Sequence, residues 1–263
     1  MPDIIAKPMN KYLYFTVFIS GMTTLVIEFS ASRLLGSVYG TSNLVWASIV
    51  GLILIYLTIG YYLGGRWADR SPHHKTLYTL LAWGAFLSGL IPMASRPVLW
   101  LAADAFDQLQ VGVLFGSFAS VLILLSIPVT LLGTISPFAI RLAVVDSRRT
   151  GSIAGQIYAV STMGSFIGTF LPVLVFIPLI GTARTFLFFS FILVVVALIG
   201  LWKYARQGAA LVYIWMPIIL ILLAWLGSGP VKKTAGQIYE TESAYNYIQV
   251  IEQGGYRLLR LNE

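Results

Sequence analysis

Cysteine is absent from all 263 residues. That excludes a disulfide framework, thiolate zinc sites and iron–sulfur clusters. Charge is scarce as well. Asp, Glu, Lys and Arg make up 10% of the chain, where soluble domains carry about 25%. So few charges cannot coat a soluble globule of this size, which excludes an ordinary cytoplasmic enzyme. The high apolar content excludes a disordered chain. Histidine is limited to His73 and His74. Adjacent imidazoles cannot point one way on a helix, and no acid-rich run lies beside them, so they read as solvated loop residues rather than a metal site. A Walker loop, catalytic-triad spacing, a zinc ligand set and nucleic-acid motifs are all missing, so no nucleic acid is expected as a partner.

What the chain does have is long apolar runs. Hydrophobic residues are 58% of the sequence and mean hydropathy is +0.84. A helix needs about 20 apolar residues to cross the hydrocarbon core. Seven runs qualify: 12–35, 43–64, 77–95, 112–140, 152–180, 183–202 and 210–227. The first is too long for a signal peptide and no small-residue cleavage site follows it. The run 112–140 exceeds a straight span, so Pro128 and Pro137 are expected to kink it, or its end to lie along the interface. Pro172 and Pro178 carry the same expectation for 152–180. The fold class is therefore an all-α polytopic membrane bundle over 1–227, with the lipid bilayer as its partner.

The net charge of +7 reports topology rather than a polyanionic partner. Lys7, Lys11, Arg66, Arg70, Lys75, Arg141, Arg148, Arg149, Lys203 and Arg206 fall in loops on one side, ten in all, against Arg33, Arg96 and Arg184 on the other. Positive residues stay cytoplasmic, so a multi-pass plasma-membrane protein with its N-terminus in the cytoplasm is expected. Asp104 and Asp107, in the loop expected after the third span, fit an external position.

From Ser228 to Glu263 the composition changes, and the charges of Lys232, Lys233, Arg257 and Arg260 cancel those of Glu240, Glu242, Glu252 and Glu263. Two β-prone runs, 245–251 and 256–261, flank Gly254-Gly255 and read as a hairpin. An isolated hairpin is marginal in water. It is expected either to open a soluble domain whose remainder lies elsewhere, or to cap the helices.

Within the bundle, Glu28 is the sole acid inside an expected span. It sits roughly 10 Å below the outer interface at about 1.5 Å per residue. Such a carboxylate must be paired, hydrated or protonated. It is a candidate cation or proton site, or a structural partner of Arg33 or a neighbouring helix. Residues 28 and 33 are about 140° apart on one helix, a poor pairing geometry. Gly151 with Gly155, and Gly164 with Gly168, are spaced four apart, where small residues let helices approach closely. Ser161, Thr162, Ser165 and Thr169 share that run and either line a polar cavity or bond back to their own carbonyls.

The tail Tyr239-Glu-Thr-Glu-Ser-Ala-Tyr-Asn-Tyr-Ile-Gln-Val250 and Arg257-Leu-Leu-Arg-Leu-Asn262 resemble the N-terminal hairpin of spermidine synthases. The membrane part is similar to the helical portion of the fused major-facilitator-like/spermidine synthase proteins. Three stretches carry the likeness: Ile27-Glu28 with Ser32-Arg33-Leu34-Leu35 and Tyr39-Gly40-Thr41-Ser42; Pro128 to Pro137 with Arg141; and Gly155-Gln-Ile-Tyr158 through Ser161-Thr-Met-Gly164 and Gly168. The resemblance implies polyamine handling beside a separate or downstream spermidine synthase domain. A complete relative would use decarboxylated S-adenosylmethionine, held by a glycine-rich loop and served by an acidic base. Neither is in this chain, which by itself is not expected to catalyse aminopropyl transfer. Asn246 stands where many soluble members place a Gln near the substrates, and Ser161 where the fused proteins often have Asn. Gly64-Gly65-Arg66-Trp67-Ala68-Asp69-Arg70 resembles the Gly-x-x-x-Asp-Arg loop of major-facilitator transporters. There the acid and base fasten helix ends and gate their movement; the alternative is a basic topogenic loop with Asp69 paired to Arg66 or Arg70. Two other readings stand beside the first: a half-transporter moving a small cation, and a membrane anchor without transport. Seven crossings put the hairpin outside, whereas a cytosolic cofactor would require it inside. The strong apolarity of 210–227 keeps the count at seven.

The charge asymmetry predicts that a topology reporter fused after Arg149 is cytoplasmic and one fused at Asp104 is external. Both on one side would defeat the span assignment.

Overall fold

The computed structural model describes residues 10–40, 42–109, 113–144, 146–205, 208–226, 236–243 and 246–261, with the backbone alone described along 99–109 and 113–114. Lys7, Arg206, Lys232, Lys233, Tyr245, Asn262 and Glu263 lie outside the described residues, as do the side chains of Asp104 and Asp107. Seven segments are long and apolar enough to cross a membrane. They form an all-α bundle, followed by a three-stranded antiparallel sheet.

Each long helix starts and stops for local reasons. α1 (Lys11–Tyr39) is capped by the Asn10 side chain, which accepts from the Leu13 amide, and it ends at Gly40 with φ +80°. α2 (Asn43–Arg70) is capped by Ser42, whose hydroxyl accepts from the Val45 amide. α3 (His74–Leu109) continues through Pro92 and Pro97, so Asp104 and Asp107 lie on helical backbone rather than in the expected loop. The fourth run divides into α4 (Val113–Gly133) and α5 (Ile135–Ala143). Pro137 has no amide to offer the Gly133 carbonyl, and the Thr134 hydroxyl turns back to the Leu131 carbonyl at 2.6 Å. Pro128 stays inside α4. The fifth run has a 3-10 turn at Ser147–Arg149, then α6 (Thr150–Leu171), a π-turn opened by Pro172 (Pro172–Phe176) and α7 (Ile177–Ile180). α8 (Thr182–Tyr204), the short α9 (Gly208–Leu211) and α10 (Trp215–Leu226) complete the helices.

Packing pairs α1 with α6, α2 with α4, and α3 with both α8 and α4. α10 lies outside α8 and α3 and is the least enclosed span. The closest approaches occur at glycines. A Cβ on Gly164 would stand 2.1 Å from the Phe18 carbonyl oxygen, and one on Gly168 would stand 2.2 Å from that of Met22. Gly60 meets Thr130 and Gly64 meets Thr134 in the same way. Gly151 and Gly155 have nothing within 4 Å of an added Cβ and are exposed. The Ser165 hydroxyl donates across to the Gly21 carbonyl at 3.2 Å, while Thr169 bonds back to the Ser165 carbonyl.

The expected hairpin is present as β2 (Tyr247–Gln253) and β3 (Tyr256–Leu261), turned by Gly254 and Gly255 at positive φ. The structure adds a strand that hydrophobic alternation did not mark. β1 (Gln237–Glu242) pairs antiparallel with β2, giving the order β1-β2-β3. Its sequence, Gln-Ile-Tyr-Glu-Thr-Glu, is too polar to read as a strand, and pairing with β2 decides its conformation.

Gly164→Ala should lower the melting temperature in detergent by an amount equivalent to about 1–3 kcal/mol of overpacking. Gly155→Ala should match or slightly exceed wild type, because it reduces backbone freedom without a clash. Equal behaviour of the two variants would contradict the α1–α6 contact.

Candidate functional site

Polar chemistry gathers at three places. The first is the end of the bundle where α1 finishes and α8 begins. Gly181, with φ +82°, turns the chain from α7 into α8 and leaves the first amides of α8 pointing outward. Glu242, the last residue of β1, fills that position. Its Oε2 accepts from the Thr182 amide and from the Thr182 hydroxyl, the latter at 2.8 Å. A carboxylate at a helix N-terminus also meets the positive end of the helix dipole. From α1, the Arg33 guanidinium donates to the Ser243 carbonyl, one residue beyond Glu242. An acid and a base thus fasten the sheet to two different helices. Burial pushes the Glu242 carboxyl above the ordinary glutamate range, and the Thr182 hydroxyl and amide and the Arg33 charge draw it part of the way back.

The buried face of the sheet continues this polar group. The Tyr247 hydroxyl donates to Glu240 Oε1 at 2.7 Å, and Gln237 Nε2 donates to Glu240 Oε2 at 2.6 Å. Gln249, fully buried, donates to Gln237 Oε1 and to the Tyr247 hydroxyl. Burial and the neighbouring Glu240 carboxylate push the Tyr247 phenol well above its ordinary value. Asn246 closes the β1–β2 turn through its backbone. Its amide donates to the Ser243 hydroxyl at 2.9 Å, and its carbonyl accepts from the Ser243 amide at 2.9 Å.

The second place is the opposite end of the bundle. Asp69 does not pair with Arg66 or Arg70. Its Oδ1 accepts from Arg141 Nε at 3.1 Å, joining the end of α2 to α5. Arg66 turns instead to the Tyr62 hydroxyl, which lies one turn back on its own helix. Arg70 closes α2 and is exposed. His74 stacks on the Tyr204 ring with centroids 4.8 Å apart, and among the described residues no cluster of His, Asp and Glu could hold a metal.

The third is Glu28, half-buried on α1. Arg33, its nearest basic residue in sequence, is committed to the sheet. Among the described residues Glu28 has neither a hydrogen bond nor an ion pair. The structure therefore separates the residues singled out from sequence. Asn246 lies at the sheet end, Asp69 and Arg70 at the far end, Glu28 within α1, and the four glycines along α6. Thr182, Glu242 and Arg33 as a fastening escaped sequence reasoning, since partners 60 residues apart leave no local pattern. No protein-family model, curated protein or solved structure matches the chain.

Glu242 holds its proton more tightly in the folded protein than in the unfolded chain. Its favourable contribution is therefore complete below the ordinary glutamate value and is lost as pH rises through the raised one. The wild-type melting temperature should fall across that rise, and Glu242→Gln, which cannot ionise, should flatten the fall. Parallel profiles would count against this assignment. Glu242→Ala, which removes both acceptor contacts, should cost about 1.5–3 kcal/mol of docking, read as faster limited proteolysis of the segments flanking the sheet.

Proposed function

We propose that this chain is the membrane portion of a spermidine synthase-like protein that serves polyamine handling and does not catalyse aminopropyl transfer by itself. The observation that carries the reading is Glu28. It is a half-buried carboxylate on a spanning helix with no partner among the described residues. An ionised acid in a low-dielectric bundle needs a cation, water or a proton. A polyamine ammonium group supplies that positive charge when it binds and removes it when it leaves. The fastening of the sheet by Glu242 and Arg33 supports the other half of the reading. A membrane domain that carries an enzyme needs a fixed joint, and this joint is made of directed hydrogen bonds from the Thr182 amide and hydroxyl and from the Arg33 guanidinium. The Lys and Arg asymmetry supports a plasma-membrane protein with a cytoplasmic N-terminus.

A second reading, a half-transporter of major-facilitator type moving a small cation, is favoured by the Asp69–Arg141 pair. It bridges the ends of α2 and α5 where those helices would part in an alternating-access movement. Both side chains are exposed, so the pair adds little stability. A conserved fold with altered transport in Asp69→Asn would thus speak for gating.

Glu28→Gln keeps the shape and removes the charge. Labelled-spermidine binding should fall at least tenfold while the melting temperature stays within a degree or two. Unchanged binding with a lowered melting temperature would retire the cation site in favour of a structural role.

A further inference from the structure

Two contacts in the bundle are the same contact made twice. A Cβ on Gly164 or Gly168 of α6 would stand 2.1 Å or 2.2 Å from the carbonyl oxygens of Phe18 and Met22 on α1. A Cβ on Gly60 or Gly64 of α2 would stand 2.4 Å or 2.7 Å from those of Thr130 and Thr134, at the end of α4. The glycines of the two contacts are separated by the same 104-residue spacing, and the carbonyls they meet by the same 112-residue spacing. The reverse contacts obey the same two spacings. A Cβ on Gly21 would stand 2.4 Å from the Ser161 carbonyl, and one on Gly133 would stand 3.1 Å from the Leu57 carbonyl.

The sequence keeps a trace of this correspondence. At the 104-residue spacing, Ser48, Ile49, Gly51, Ile53, Thr58, Gly60 and Gly64 of α2 are matched by Ser152, Ile153, Gly155, Ile157, Thr162, Gly164 and Gly168 of α6. Exposure recurs with identity. Gly51 and Thr58 are exposed, as are Gly155 and Thr162, while Ile53, Gly60 and Gly64 are buried, as are Ile157, Gly164 and Gly168. At the 112-residue spacing, Leu13, Val17 and Gly21 of α1 are matched by Leu125, Val129 and Gly133 of α4, all buried. The third helices follow the same rule. Leu81 and Ala85 of α3 are matched by Leu193 and Ala197 of α8, each 0% exposed. Here the two partners pack on each other. Gly89 meets Ser190 and Gly200 meets Tyr78, and Tyr78 and Ser190 are again 112 residues apart. Identities alone arise easily between apolar helices, which draw on few residue types. Equivalent glycines seated on equivalent carbonyls do not.

The first copy is therefore α1, α2 and α3. The second is α4 with α5, α6 with the π-turn and α7, and α8. Each has three spans, an odd number, so the second copy enters the membrane from the opposite side to the first. α10 has no counterpart among the described spans. The principal packing is between copies rather than within them: α1 on α6, α2 on α4, and α3 on α8. The remaining large contacts, α3 on α4 and α1 on α8, exchange with each other under the same correspondence.

We infer that the first six spans are two inverted copies of one three-span unit, interlocked about a two-fold axis in the membrane plane, and that neither copy is a folding unit without the other. An anchor needs only one apolar helix of about 20 residues, so this interlocked pair is more than an anchor requires. The inference concerns the construction of the bundle and holds for either function proposed above.

The test uses the full chain, whose lack of cysteine makes every introduced thiol unambiguous. The Tyr14 hydroxyl of α1 donates to Gln156 of α6 at 3.0 Å. Their equivalents in the other copy are Ser126 of α4 and Leu52 of α2. A short bifunctional thiol reagent should join Leu52→Cys to Ser126→Cys as readily as it joins Tyr14→Cys to Gln156→Cys. It should not join Leu54→Cys, on the exposed face of α2, to Ser126→Cys. A 52/126 pair that stays apart while the 14/156 pair is joined would overturn the correspondence. The interlock is read by melting in detergent with a thiol-reactive dye, using the equivalent buried positions Ala85→Cys and Ala197→Cys one at a time. Both thiols should become reactive in one transition at the same temperature, and adding Gly164→Ala should lower both by the same amount. Two separate transitions, or a shift confined to one copy, would overturn the interlock.

Discussion

Between helices in a bilayer the lipid tails are as apolar as the side chains, so association depends on how closely backbones can approach. Here that approach is set at α1 against α6, where Gly164 and Gly168 sit on the carbonyls of Phe18 and Met22. A matching contact holds α2 against α4 and α5 through Gly60 and Gly64. These glycine contacts allow α1 to pack against α6, α8 and α2 at once. α1 then carries separate kinds of chemistry around its circumference: the Glu28 carboxylate and, toward its C-terminal end, the Arg33 guanidinium.

The sheet depends on the same bundle. Three short strands with one buried face bury little on their own. Seating Glu242 on the first turn of α8 and Arg33 on the Ser243 carbonyl gives the sheet a fixed base. Behind it, Tyr247, Gln249 and Gln237 surround Glu240, so a largely polar face is buried with its hydrogen bonds made. Buried polar groups that are satisfied in this way specify one arrangement, where an apolar face could slide.

Polar residues in the bundle follow two regimes. Many hydroxyls bond back to their own helix, as those of Thr24, Ser48 and Thr58 do. Where one helix faces another across a small-residue contact, hydroxyls reach over, as Ser165 does to Gly21 and Tyr39 to Ser120. Thr23, Ser30 and Ser190 belong to neither group.

The seven spans and the β2–β3 turn were legible in the residues. The reason is that lipid demands about 20 consecutive apolar residues per crossing, and Gly254-Gly255 supplies the positive φ that the turn requires. The breaks at Thr134 and Pro172 were legible in part: proline removes a donor, yet Pro92, Pro97 and Pro128 stay inside their helices. Composition hid β1, whose residues become a strand only by pairing with β2. It also hid which base Asp69 would choose, since Arg66 and Arg70 were near in sequence while Arg141 was near in space. Nor could spacing separate Gly164 and Gly168, which meet α1, from Gly151 and Gly155, which meet nothing. Hydropathy and turn preference act within one segment and can be read along the chain. Partner choice depends on which helices lie side by side, and that is settled only when the whole bundle packs.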